Sequence, residues 1–97
     1  MIVRIVKMKF KPGNAEEFKK IFHASKKKIR DFRGCIFLEL LQDLNDENLF
    51  MTYSVWSSEK DLNRYRESEL FQETWAKAKA MFAEEPVAYS MDRVEKA

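Results

Sequence analysis

The sequence predicts an α+β fold in which helices cover one face of a four-stranded antiparallel sheet. Three observations predict it. Four separate stretches alternate apolar residues with period two, the mark of a strand. Between them lie stretches with apolar residues at spacings of three and four, the mark of an amphipathic helix. The turn formers Pro12-Gly13, Gly34, Asp43 to Asn48, Ser57-Ser58 and Pro86 fall between these stretches rather than within them.

The first strand runs from Ile2 to Phe10, with Ile2, Val6, Met8 and Phe10 on one face and Val3, Ile5, Lys7 and Lys9 on the other. Lys11-Pro12-Gly13 breaks it. Asn14 is placed to cap a helix, with Glu17 at the capping-box position. The helix stripe is Phe18, Ile21, Phe22, Ser25, Ile29 and Phe32, and Gly34 stands where a left-handed stop is expected. Cys35 to Gln42 and Leu49 to Trp56 read as two strands joined by a polar loop, a hairpin. A short helix follows from Ser58 to Arg66, then a longer one from Ser68 to about Phe82, each starting on a serine suited to capping. Pro86 precedes a last strand, Val87 to Val94. The order β-α-β-β-α-β is the split arrangement of ferredoxin-like folds.

Ninety-seven residues admit one domain, 1–97, and no second active-site domain. The composition is 45% hydrophobic and 13% aromatic with eight Phe, which supplies a core and excludes disorder. Eighteen basic and sixteen acidic residues are interspersed for a net charge of +2, a solvated surface rather than a nucleic-acid footprint. Lys26-Lys27-Lys28 belongs to the solvated side of the first helix. One cysteine excludes an internal disulfide, and no His/Cys cluster has metal-ligand spacing. The alternating, charged N-terminus is no signal peptide and no run is long enough to span a membrane, so the expected compartment is the cytoplasm.

The strands are apolar on both faces. Phe37 and Leu41 lie opposite Ile36, Leu38 and Leu40, and Leu49 to Trp56 carries large apolar groups on each side. Helices cover one face only. A second copy of the same sheet is the simplest cover for the other, so a homodimer is expected.

From Leu49 to Phe71 the chain reads LFMTYSVWSSEKDLNRYRESELF. A strand ending in Trp56-Ser57-Ser58-Glu59, followed by Tyr65-x-x-Ser68-x-x-Phe71, resembles the hallmark segment of the antibiotic biosynthesis monooxygenase (ABM) family of dimeric α+β barrels. The resemblance covers nearly the whole chain in element order and is concentrated in Tyr53 to Trp75. It implies a single ABM-like domain, sheets paired into a shared barrel, and one pocket per subunit between sheet and helices. Some relatives oxygenate aromatic or quinol substrates without metal, flavin or haem, the deprotonated substrate itself reducing dioxygen. Others degrade haem, with an Asn on the first strand, a Trp on the second-last helix and an iron-ligating His on the next. Here Lys7 or Met8, Tyr65 and Trp75 stand at those places, and no proximal iron ligand is evident. The only histidine, His23, lies beside the first helix's stripe and reads as a surface or boundary residue.

Tyr65 and Trp75 each combine a flat apolar face with one hydrogen-bonding group, suited to clamping an aromatic ring or to plain core packing. Phe71, Tyr53 and Phe37 join the pocket candidates, with ordinary packing as the alternative. Arg4, with Lys7 and Lys9, can stabilise a substrate anion or stay solvated. Glu39, inside an apolar strand, is the candidate proton acceptor beside Tyr65, or else half of an ion pair. Cys35 reads as a small buried hydrophobe. Trp56 reads as a core anchor.

The leading expectation is a cofactor-independent monooxygenase of a small aromatic, phenolic or quinol molecule. The alternative is a non-catalytic dimeric ligand-binding or stress-associated protein. Haem binding or degradation is third, and no cofactor or metal is expected.

Overall fold

The computed structural model describes residues 1–97. The elements run β1 (Ile2–Lys9), α1 (Ala15–Arg30), β2 (Cys35–Gln42), β3 (Leu49–Trp56), α2 (Glu59–Arg66), α3 (Glu69–Lys79) and β4 (Val87–Asp92). The strands form one antiparallel sheet in the order β2-β3-β1-β4. This is the expected ferredoxin-like arrangement, with the second crossover divided between α2 and α3.

Register sets what each face carries. Arg4 lies opposite Ser54 of β3 and Ser90 of β4, and Val6 opposite Thr52 and Ala88. Because strand side chains alternate, Arg4, Val6 and Met8 share one face with Thr52, Ser54 and Trp56. The helices pack on that face. Met8, Phe10, Ala15, Phe18, Phe50, Ala78 and Met81 form the main buried cluster, with Phe10 stacked on Phe18 at 4.3 Å between ring centroids. A second cluster joins Cys35, Trp56 and Leu62. Phe10, Phe50 and Trp56 are the largest fully buried side chains. Each contributes roughly 1.5–3 kcal/mol on burial of a side chain of this class.

Several local expectations are corrected. Asn14 begins α1 without a side-chain cap. Its backbone is helical (φ −93°, ψ −12°) instead of extended, because its N–H closes a turn onto Lys11 O at 3.0 Å. Helix α1 ends at Arg30, before the Gly34 stop. Gly34 does adopt φ +89°, but for the turn into β2, and the Asp61 side chain occupies the place a Cβ would need. Ile36 does not join the helix-facing row. A bulge between Cys35 and Phe37 makes it the extra residue, turning Cys35 inward and leaving Ile36 exposed. Helix α3 ends at Lys79, and Phe82 instead forms a bridge with Phe10. Strand β4 ends at Asp92, short of Val94.

The serine caps hold. Ser58 Oγ accepts from the Asp61 N–H at 3.1 Å, and Ser68 Oγ from the Phe71 N–H at 3.2 Å. They fix where α2 and α3 start, and so where Tyr65, Phe71 and Trp75 are carried. No helix is long and apolar enough to cross a membrane.

The sheet face away from the helices is apolar and open. Phe37, Leu41, Val87, Tyr89 and Met91 on it are 42–46% exposed. All six residues of β4 are exposed.

Candidate functional site

A cavity of about 360 Å³ lies between the sheet and the three helices. Its floor is the helix-facing sheet row: Arg4, Val6 and Met8 from β1, with Thr52, Ser54 and Trp56 from β3. Helix α1 supplies Phe18, Phe22 and Ile29; α2 supplies Leu62, Tyr65 and Arg66; α3 supplies Phe71, Thr74 and Trp75. Thirteen of the nineteen lining residues are hydrophobic, so a bound ring would be held mainly by apolar contact.

One wall is a continuous run of aromatic rings. Trp56 stacks on Tyr65 at 4.9 Å, Tyr65 meets Phe71 edge-on at 5.3 Å, and Phe71 stacks on Trp75 at 5.7 Å with only 12° between planes. Such pairs contribute about 0.5–1.5 kcal/mol each beyond buried area. Trp56 is nearly fully buried and its indole N–H donates to Ser54 Oγ at 3.0 Å, so the core anchor also lines the cavity.

The polar groups are few. Ser54 Oγ is occupied by that indole and by a 3.4 Å bond to Arg4 O, and Thr74 Oγ1 donates back to Leu70 O at 2.8 Å. Arg4 donates through one N–H to Ser90 Oγ at 2.8 Å. Neither Arg4 nor Arg66 belongs to any of the salt bridges, which join Lys9 to Asp46, Lys19 to Glu16, Lys27 to Asp31 and Arg64 to Asp61. Burial first, and the Arg66 charge second, lower the Arg4 pKa from the ordinary arginine value. The guanidinium still stays cationic at neutral pH. Burial, with a smaller effect from Cys35, pushes the Tyr65 phenol well above its ordinary value, so it is held as a neutral donor.

The structure brings together Tyr65, Trp75, Phe71 and Arg4 of the residues expected at the site. It does not bring Glu39, Tyr53 or Phe37. Glu39 pairs with Tyr53 across β2 and β3, and Phe37 meets Tyr53 edge-on at 6.0 Å. They alternate with the cavity-lining Leu38, Thr52 and Ser54, which puts them on the opposite sheet face. No carboxylate or imidazole lines the cavity. His23 is exposed on α1. Cys35 is buried, and that burial raises its thiol pKa, leaving a poor nucleophile. Arg66 went unassigned in the sequence, although its i+4 spacing from Leu62 puts both on one face of α2.

The family model described as antibiotic biosynthesis monooxygenase matches residues 1–77, from β1 into α3. This chain belongs to that family. The match spans most cavity residues of this ABM protein and stops before Pro86 and Ala88, which line the β4 side. Among curated proteins none matches the sequence. Solved structures agree in fold. A crystal structure of an antibiotic biosynthesis monooxygenase is 20% identical with a TM-score of 0.91, over 98% of this chain and 100% of that one. The Rv0793 protein of Mycobacterium tuberculosis is 14% identical, at 0.90 over 99% and 97%. SnoaB from Streptomyces nogalater, a cofactor-independent oxygenase solved in mutant form, is 14% identical, at 0.87 over 98% and 94%.

The cavity of this family member does not fit haem ligation. Trp75 stands in the wall, and neither imidazole nor thiolate lines the space. No group of three or more His, Cys, Asp or Glu is placed to hold a metal ion.

Proposed function

We propose that residues 1–97 act as one ABM-type domain, a cofactor-independent monooxygenase of a small aromatic, phenolic or quinol substrate, working as a homodimer. The observation that carries this reading is the aromatic-walled cavity whose polar points are cations and neutral hydroxyls. Such a site favours a flat substrate that is an anion when it reacts. The family membership supports oxygenation chemistry, and the fold shared with SnoaB supports the cofactor-independent form of it.

The substrate would supply the electrons. An ionised phenol delocalises charge onto a ring carbon that carries one hydrogen, and counted from the neutral phenol, whose two departing hydrogens are that C–H and the phenolic O–H, the balance is phenol + O2 → quinone + H2O. One oxygen atom becomes the carbonyl, and the other leaves as water with both hydrogens. The chain's part is to bind the ring between Tyr65, Phe71 and Trp75, to keep water out, and to stabilise the anion with Arg4 while neutral Tyr65 donates. With no carboxylate or imidazole in the cavity lining, the substrate would enter already ionised, its phenolic proton left in bulk solvent, so the more acidic members of the phenol and quinol class would react fastest.

The homodimer reading rests on the open apolar sheet face, which a second copy would cover. Oxygen uptake tests the enzymatic reading: a panel of phenols and quinols should consume dioxygen in the presence of the protein with no added cofactor. The missing base also favours a second reading, a non-catalytic binding protein. Saturable binding with no oxygen uptake across the panel would select that one.

A further inference from the structure

Arg4 is a half-buried cation with no counter-ion. It projects from the helix-facing side of the sheet into a mostly apolar cavity, is half-buried, and makes one side-chain hydrogen bond, to a neutral serine. A cation withdrawn from water is costly unless an anion or several acceptors compensate it. No carboxylate does so here. Instead, the charge that acts on it is a second cation, Arg66, which lines the same cavity and is exposed. Placement in the last turn of α2 accounts for Arg66 through the helix dipole, but nothing comparable accounts for Arg4. Two guanidiniums that repel each other across one cavity are relieved by a single anion between them.

Resting on the pocket reading above, we propose that Arg4 and Arg66 form an anion subsite in the cavity, and that the ligand is an aromatic oxyanion whose ring lies along the Tyr65–Phe71–Trp75 wall. Arginine suits this role because its planar fork of donors matches a planar oxyanion. Arg4 keeps most of its donors open after the bond to Ser90, which holds the guanidinium without neutralising it. Arg66, at the exposed edge, is placed to meet the anion first. The oxyanion is either a ring carboxylate or a phenolate, and the two are separable by titration.

Calorimetric titration of the full chain with 2-naphthoate, 2-naphthamide and 2-naphthol tests this directly. The acid is expected to bind at least about tenfold more tightly than the amide of the same shape, since hydrogen bonds to charged groups are the strong ones. Added salt should erode that preference. Arg4→Met should remove it, and Arg66→Met, being exposed, should reduce it about threefold. The control Lys27→Ala should leave it intact. Because Arg4→Met alters a sheet residue, the exposed Arg66→Met keeps the test decisive if the first variant fails to fold. A naphthoate preference at every pH assigns the carboxylate. A preference that develops for 2-naphthol only as it ionises assigns the phenolate, and either supports the subsite. Equal binding of acid, amide and naphthol at every pH overturns the anion subsite while leaving the pocket standing. No binding of any of the three overturns the pocket reading, and the subsite with it.

Discussion

Tyr65 lies almost flat on Trp56, with ring centroids 4.9 Å apart and planes 24° from parallel. Phe32 closes on the same two rings edge-on, at 5.4 Å from Tyr65 and 6.4 Å from Trp56. The stack ties the last residue of β3 to the last turn of α2. Tyr65, suited by its residue type to clamping a ring or to plain core packing, packs one face on the core tryptophan and also lines the cavity.

Alkaline stability should report this burial. The Tyr65 pKa is raised in the fold, whereas an unfolded tyrosine ionises near about 10. The neutral form is thus favoured in the folded state, and the associated stability is fully present below the unfolded pKa. It is lost progressively as the pH rises above about 10 toward the folded value. Thermal melts across pH 8 to 11 should therefore fall more steeply for the wild type than for Tyr65→Phe. Parallel curves would contradict the burial of the phenol.

Trp75→Ala should weaken binding of a flat aromatic ligand by several-fold to about tenfold, because it removes a stacking face of the cavity wall. Lys27→Ala, on the exposed side of α1, should not. Saturable quenching of tryptophan fluorescence in the wild type, with Trp56 still reporting in the variant, measures both.

Tyr65→Phe separates binding from chemistry. The ring remains, so affinity for the aromatic ligand should change by less than about threefold, while turnover of a reactive phenol should fall by about tenfold or more if the hydroxyl donates to charge that grows during reaction. Equal loss in both quantities would make Tyr65 a wall residue only.

The open sheet face predicts assembly. Light scattering at micromolar concentration should give twice the 11.6 kDa chain mass. Leu41→Glu or Phe37→Asp should yield monomer or unfolded chain, since each would bury an unpaired charge at the sheet contact. A monomeric wild type would remove the homodimer reading.

The two glycines should differ when changed to alanine. Both have positive φ, but a Cβ at Gly13 would meet open space and one at Gly34 would meet the Asp61 side chain. Gly13→Ala should cost about 1 kcal/mol for the backbone alone. Gly34→Ala should cost more, because Asp61 also accepts from Ser57, Ser58 and Arg64 and cannot shift freely. Urea denaturation of the two variants compares them.

Element order, the period-two faces of β1 and β3, and the serine caps of α2 and α3 were all legible along the chain, because alternation, helical spacing and capping are properties of neighbours a few residues apart. The same alternation shows that Thr52 and Ser54 share a face with Trp56. Local pattern failed where a distant partner intervened. Ile36 became a bulge because the ladder to β3 gains a residue there, and Phe82 left its helix to pair with Phe10. Glu39 is the clearest case. Its place in an apolar strand promises burial, but whether that strand face meets helices or open solvent depends on which side of the sheet the crossovers pack, and that is a choice made by the whole fold. Likewise Arg4 and Arg66 lie 62 positions apart in the numbering, with no spacing rule to connect them. Only the packing of α2 on β3, the sheet neighbour of β1, brings both into one cavity and leaves them without a carboxylate, because long-range charge relationships are set by tertiary contact rather than by sequence period.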